Sequence, residues 1–292
     1  MESLSWGGIF VRMFLQFTPV WVALIVLFGL SINFKRRLGL YGKLFDSTVG
    51  MIGFGLVMFW VFTGIYAAFD LIILNDPLSQ VSGMKNKLPG TPLPDGSGYY
   101  LLGGDNLARD VFSRMVAGSW IVVKIAPLAT VFAFMVGITL GLPAGYYGGK
   151  FDTVLSFISN LVLAFPVILL FYLLVTPEIV QTGIPSYMAA VLFIFPIIFL
   201  TILLNSRYHT QPNKRNVYVG VTMLVGLLLY LSLISEKGGA ISFVPAWLDL
   251  FDVPGNLLVV FVSVVFVNSP TVFRIVRGLV LDIHTRDYVA AG

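Results

Sequence analysis

Apolar residues run in long stretches at about 14–33, 49–74, 120–146, 154–176, 185–204, 217–235 and 257–273, each bounded by polar or turn-forming residues. An α-helix rises 1.5 Å per residue, so runs of this length match a hydrocarbon core about 30 Å thick. The pattern predicts seven transmembrane helices. The first run follows Arg12, as a signal peptide would, yet it is long, has no A-x-A cleavage site and stops at Lys35-Arg36-Arg37. It therefore reads as a retained helix. The longest polar stretch, about 75–119, begins with the turn formers Pro77, Gly83, Pro89, Gly90, Pro92, Pro94, Gly96 and Gly98. It is too short and too poor in apolar residues for an independent domain.

Composition excludes a soluble enzyme. Of the 292 residues 58% are hydrophobic and 11% charged, where a soluble domain carries about 25% charged residues. There is no cysteine and there are two histidines, His209 and His284, so no disulfide, thiolate nucleophile or cysteine-ligated metal is expected, and a histidine cage is not expected either. The net charge of +4 is informative chiefly through its placement. One side of a seven-span chain holds eleven basic residues, Lys35, Arg36, Arg37, Lys43, Lys150, Arg207, Lys214, Arg215, Arg274, Arg277 and Arg286, mostly in short loops at helix ends. The other holds seven, Arg12, Lys85, Lys87, Arg109, Arg114, Lys124 and Lys237, four of them in the long loop. The positive-inside rule then predicts an external N-terminus and a cytoplasmic C-terminus.

Several polar and small residues interrupt the apolar runs. Gly137, Gly141 and Gly145 repeat every fourth residue, with Gly149 in step beyond them, forming a stripe without side chains for helix packing or for a moving contact. Asp152, Ser156, Ser159 and Asn160 share one helix face; lipid cannot satisfy them, so they serve as interhelical hydrogen bonds or as the wall of a polar pathway. Asn268, Ser269 and Thr271 around Pro270 make a similar interruption with the same two readings. Lys124 either snorkels to the outer interface or marks an anion or proton site. Around Gly149-Lys150 the phosphate-binding pattern G-x-x-x-x-G-K-[ST] fails, because Ala144 stands at its first glycine and Phe151 follows the lysine. No spacing of carboxylates, serine and base, or metal ligands suits an intramembrane enzyme; Glu178 and Glu236 stand singly, and Asp249 and Asp252 lie near Trp247 and Phe251 like an interfacial segment.

The run Leu102-Gly-Gly-Asp-Asn-Leu-Ala-Arg-Asp-Val-Phe-Ser-Arg114 resembles the G-T-D-x-x-G-R-D-V-x-S-R signature of the C-type permease subunits of dipeptide, oligopeptide and nickel ABC importers. Ala144-Gly-Tyr-Tyr-Gly-Gly-Lys-Phe-Asp152 looks like their A-G-Y-x-G-G-x-x-D loop, and Leu163-Ala-Phe-Pro166 like their L-A-F-P. Arg274-Ile-Val-Arg-Gly-Leu-Val-Leu281 and Asp287-Tyr-Val289 resemble the run into the EAA loop, which contacts the ATPase. The resemblance covers about 49–176 and 257–292. Gly104 stands for a usual threonine and Ala108 for a usual glycine; Ala290, Ala291 and Gly292 occupy the Glu-Ala-Ala positions; and the family continues through a coupling helix and two further spans, so a truncated sequence is expected.

The resemblance implies an all-α, polytopic transmembrane helical bundle of the type I ABC importer permease kind, with about seven spans. It divides into 1–48, an extra helix with a basic cytoplasmic loop, and 49–292, the permease domain, which includes the external loop 75–119, a two-helix insertion at 185–235 and the start of the coupling segment at 274–292. The implied function is that of an inner-membrane permease subunit, multi-pass in the bacterial cytoplasmic membrane, passing peptides or a similar small solute. An external, periplasmic solute-binding protein delivers the solute, a second permease subunit completes a heterodimer, and two cytoplasmic ATPase subunits bind ATP and Mg²⁺. The chain itself is expected to bind no cofactor, metal or nucleic acid and to be no enzyme. By the same resemblance Arg274, Arg277, Asp287, Tyr288, Val289, Ala290, Ala291 and Gly292 couple to the ATPases, and Asp105, Asn106, Arg109, Asp110, Ser113 and Arg114 form the external loop motif. The residues themselves predict an ordered external turn and short helix over Asp105–Asp110, because Asp105 suits an N-cap and Arg109 follows it by one helical turn, in reach of an i,i+4 contact. Ser156, Ser159, Asn160, Asn268 and Ser269 are candidates to line the pathway. The rival readings are an intramembrane enzyme and a passive channel, the latter without an obvious charged ring.

Overall fold

The computed structural model describes residues 2–234 and 255–284. They form α1 (Trp6–Gln16), α2 (Thr18–Phe34), α3 (Thr48–Ala68), a two-stranded hairpin of β1 (Thr91–Pro92) and β2 (Tyr99–Tyr100), then α4 (Val111–Tyr147), α5 (Gly149–Ala164), α6 (Val167–Val175), α7 (Pro177–Gln181), α8 (Ile184–Leu192), α9 (Ile194–Arg207), α10 (Pro212–Ile234) and α11 (Gly255–His284). Six of these stretches, or seven if α5 and α6 count together, are long and apolar enough to cross a bilayer. The chain is an all-α, multi-pass membrane protein. It divides into two compact units, Met1–Ile125 and Ala126–Gly292, with the boundary inside α4.

The observed helices depart from the hydrophobic runs where local chemistry intervenes. The first run is two helices broken at Phe17, just before Pro19 opens α2. The second ends at Ala68 instead of continuing to 74: Asp70 turns left-handed at φ 53°, and Ile72 is fully buried with Phe17, Val20, Ala67, Leu101, Phe112 and Val116. Its hydrophobicity serves the core beneath the 75–119 loop instead of lipid. α4 starts at Val111, ahead of the apolar run, because Asp110 caps it through Phe112 N (3.1 Å). The run at 154–176 is bent by 88° at Phe165-Pro166, where the residue before proline is extended (φ −75°, ψ 136°).

Within the second unit the helix directions can be read from contacts. Phe132 of α4 meets Phe193, at the start of α9, with ring centroids 5.6 Å apart. Further along both helices, Thr139, Leu142 and Tyr147 line one groove with Phe199, Leu203 and Ser206. α4 and α9 therefore run the same way. Two successive spans can do so only if the chain returns between them, and the bent α5–α6 pair is the segment available. Counting α5–α6 as that return gives seven candidate crossings among the described residues. Cysteines at Lys150→Cys and Thr182→Cys, in a chain that has none of its own, are expected to react with an impermeant thiol reagent from opposite faces of the membrane; reaction from one face would make α5–α6 a re-entrant loop.

Candidate functional site

Two constellations bring the motif residues together, one in each unit. In the first, Asp105 organises the turn ahead of α4. Its Oδ1 accepts from the backbone N–H groups of Leu107 (2.8 Å) and Arg109 (2.9 Å). Its Oδ2 accepts from Arg109 Nε (2.8 Å) and Arg114 Nη1 (2.9 Å). Burial pushes the Asp105 carboxyl up, but the two backbone N–H groups and the Arg109 guanidinium outweigh it and hold the group below its ordinary value. The ordered turn and the Asp105–Arg109 contact are as the sequence predicts, but no short helix forms here. The carboxylate closes a turn instead, with Gly104 and Asp110 bridged across it.

Asp110 is fully buried. It accepts from Ser113 Oγ (2.7 Å) and from Asn75 Nδ2 (2.7 Å), while Ser113 Oγ accepts from Asn75 N (3.0 Å). This network ties the end of the 69–75 segment to the first turn of α4. Asn75 was not legible as a member; only its place beside Asp76-Pro77 hints at a turn. Asn106 is exposed at the turn tip. Tyr100 donates to the Ala108 carbonyl (3.2 Å); burial, then the charges of Asp110 and Asp105, push its hydroxyl pKa up.

Two departures from the motif have a geometric reading. Ala108 sits at φ 63°, the region glycine adopts without strain. At Gly104 a Cβ would lie 1.9 Å from the Met84 carbonyl oxygen, so the usual threonine has no room.

In the second unit α4 lies against α11 along its glycines. A Cβ on Gly137 would meet Val272 Cβ at 2.6 Å, one on Gly141 the Phe273 carbonyl oxygen at 3.0 Å, and one on Gly145 Val280 Cβ at 2.8 Å. Both sets of positions ascend together, so the helices are parallel and in backbone contact over two turns. α5 returns antiparallel: Ser159 Oγ donates to the Pro270 carbonyl (3.3 Å), and at the far end Arg277 grips Asp152 with Nε on Oδ1 and Nη2 on Oδ2. Ser156 Oγ adds a bond to Asp152 Oδ1 (3.1 Å). Sequence reasoning placed Arg277 in the ATPase-coupling segment and Asp152 on a polar helix face; it did not pair them.

The candidate pathway residues divide. Ser159 and Ser269 are buried, with Ser269 Oγ donating to the Val265 carbonyl (2.5 Å). Asn160 and Asn268 are exposed. Lys124 is exposed and lies 5.2 Å from the Trp120 ring centroid. Arg274 is exposed near the end of α11, while Asp287, Tyr288, Val289, Ala290, Ala291 and Gly292 lie outside the described residues, as do Glu236, Asp249 and Asp252. Among the described residues no group of three or more His, Asp or Glu side chains is placed to hold a metal.

No protein-family model and no solved structure matches the chain. It is 38% identical over 106 residues to the dipeptide transport system permease protein DppC of Alkalihalophilus pseudofirmus, covering 36% of this chain and 35% of that one. It is 34% identical over 110 residues to DppC of Haemophilus influenzae (34% and 37% covered). To the glutathione transport system permease protein GsiD of Pectobacterium atrosepticum it is 42% identical over 74 residues (25% of each). Over that part of its length the chain is a homologue of transport-system permease subunits. The matches span about a third or less of these relatives' length. Nothing in these relatives supports the enzyme or channel reading.

For a permease homologue, the Asp152–Arg277 pair and the glycine seam are the contacts that make α4, α5 and α11 one body. Gly137→Leu is expected to separate α4 from α11 and lower thermal stability by about 1–3 kcal/mol, the cost of overpacking, whereas Gly118→Leu, with open space around it, is expected to change little; equal losses would deny the seam. The turn ahead of α4 carries a pH signature. Because the Asp105 pKa is lowered on folding, its stabilisation is complete above the unfolded value of 3.8 and is lost as pH falls through the lower folded value. Hydrogen exchange at the Leu107 and Arg109 amides, corrected for intrinsic rate, should stay protected through pH 4 and rise only below it, and Asp105→Asn should remove the pH dependence.

Proposed function

We propose that the chain is the permease subunit of a bacterial ABC importer. It passes a peptide or a similar small solute, delivered by an external binding protein, across the cytoplasmic membrane. A second permease subunit faces it as a heterodimer, and two ATPase subunits bind ATP and Mg²⁺ on the cytoplasmic side. The observation that carries this reading is the α4–α5–α11 body, because it joins two blocks of the permease resemblance, 144–152 and 274–281, at one end of one unit: Gly145 on the Arg277 carbonyl oxygen (2.9 Å for an added Cβ) and Arg277 on Asp152.

The mechanism follows from that joint. ATP-driven closure of the ATPases displaces the segment beyond His284. α11 is held to α4 by backbone contact and to α5 by a bidentate ion pair, so a push at its end moves three helices together. Bare hydrogen bonds to lipid-facing side chains would let the end bend instead. Asn160 and Asn268 stand exposed on apolar helices; Asn268 Nδ2 donates to the Val264 carbonyl (2.8 Å), but hydrocarbon cannot satisfy the amide oxygens, so they face the solute path or the partner permease. Lys150, Arg207, Lys214, Arg215, Arg274 and Arg277 cluster near the ends of α4, α9 and α11, which supports a cytoplasmic C-terminus and an external N-terminus.

The test uses the complete importer in proteoliposomes. Arg277→Ala and Asp152→Ala should each lower solute uptake about tenfold, and the exchanged pair Asp152→Arg with Arg277→Asp should recover part of the loss. Tyr288→Ala should lower uptake and solute-stimulated ATP hydrolysis together without affecting membrane insertion. Normal uptake in both single variants at normal expression would sink the coupling reading.

A further inference from the structure

α2 ends at Phe34 and α3 begins at Thr48, and between them the chain folds into two 3₁₀ turns, Lys35–Arg37 and Gly42–Asp46. This is a built turn. Tyr41 and Phe45 pack edge-on at 5.4 Å, Phe45 meets Phe28 at 5.7 Å and Phe54 at 5.6 Å, and Ser31 Oγ and Tyr41 Oη share a hydrogen bond of 2.9 Å. Gly42 is pressed so close that a Cβ would fall 2.1 Å from the Lys35 carbonyl oxygen. Lys35 is neutralised by Asp46 at 3.2 Å.

Arg36, Arg37 and Lys43 are exposed and have no carboxylate partner among the described residues. Leu38 and Leu40 protrude between them and Leu44 just after Lys43, and Leu40 at the tip is 83% exposed. The turn lies in the 1–48 segment, which the transport reading does not use. Three unpaired cations on a rigid frame at the end of a membrane span suit phosphate groups, and the interleaved leucines suit acyl chains beside them. A free phosphate would use only the cations.

We propose that this turn is a binding site for anionic phospholipid headgroups, with the cations on the phosphates and Leu40 in the acyl boundary. Each basic residue near an anionic surface contributes enough that losing three lowers preference by tenfold or more.

The full chain in nanodiscs carries the test, with spin-labelled phosphatidylglycerol and phosphatidylcholine as probes. The native chain is expected to prefer phosphatidylglycerol, and 0.5 M salt should weaken that preference. Arg36→Gln, Arg37→Gln and Lys43→Gln combined should reduce it about tenfold, and Leu40→Ser should reduce it less, at unchanged thermal stability since all four side chains are exposed. A control combining Arg207→Gln, Lys214→Gln and Arg215→Gln should retain it. Unchanged preference in the turn variant, or an equal loss in the control, would overturn the site; displacement of the lipid by millimolar inorganic phosphate would reassign it to a soluble anion.

Discussion

Close backbone approach between α4 and α11 is the constraint on which the second unit depends. Inside a bilayer, apolar side chains gain little by leaving lipid for one another, so helices associate through dense packing and through polar groups that lipid cannot satisfy. Gly137, Gly141 and Gly145 supply the first and Asp152 with Arg277 the second. The two are complementary in position. The seam runs along two turns, and the ion pair closes its end, so rotation of α11 about the seam would break the pair.

The first unit uses a different solution. Its motif residues sit in the turn ahead of α4 and in the first turn of that helix, where order has to come from hydrogen bonds made at the end of the apolar run. Order there comes from burying Asp110 completely and giving its carboxylate three donors. Asp105 does the equivalent work at the surface with two amides and two guanidinium groups. A buried carboxylate with fewer donors would destabilise the turn, which is why Asn75, distant in sequence, has to be present.

Much of this was legible in the sequence. Run length identified the spans because hydrocarbon thickness is a fixed ruler, and the four-residue repeat at Gly137 marked a packing face. The contact between Asp105 and Arg109 followed from one helical turn of spacing, although the element between them is a turn. What stayed hidden was tertiary. Ile72 is apolar for a soluble-side core and so lengthened an apparent span; Pro166 marked a bend whose 88° angle no pattern gives. Asn75 with Asp110, and Asp152 with Arg277, are separated by 35 and 125 positions, and a single sequence holds no record of which distant charges meet.

The carbonyl of Met84 occupies the space that a side chain at position 104 would need. Gly104 N also donates to the Lys87 carbonyl at 3.1 Å, and Asn86 N to the Asp105 carbonyl at 2.9 Å, so the strand of loop over 84–87 is fitted to a bare backbone. The two segments are therefore heritable only as a pair. A loop transplanted from a relative with threonine at this place would need its own version of 84–87 to come with it, and insertions in the 75–119 loop can accumulate around this clasp but not within it.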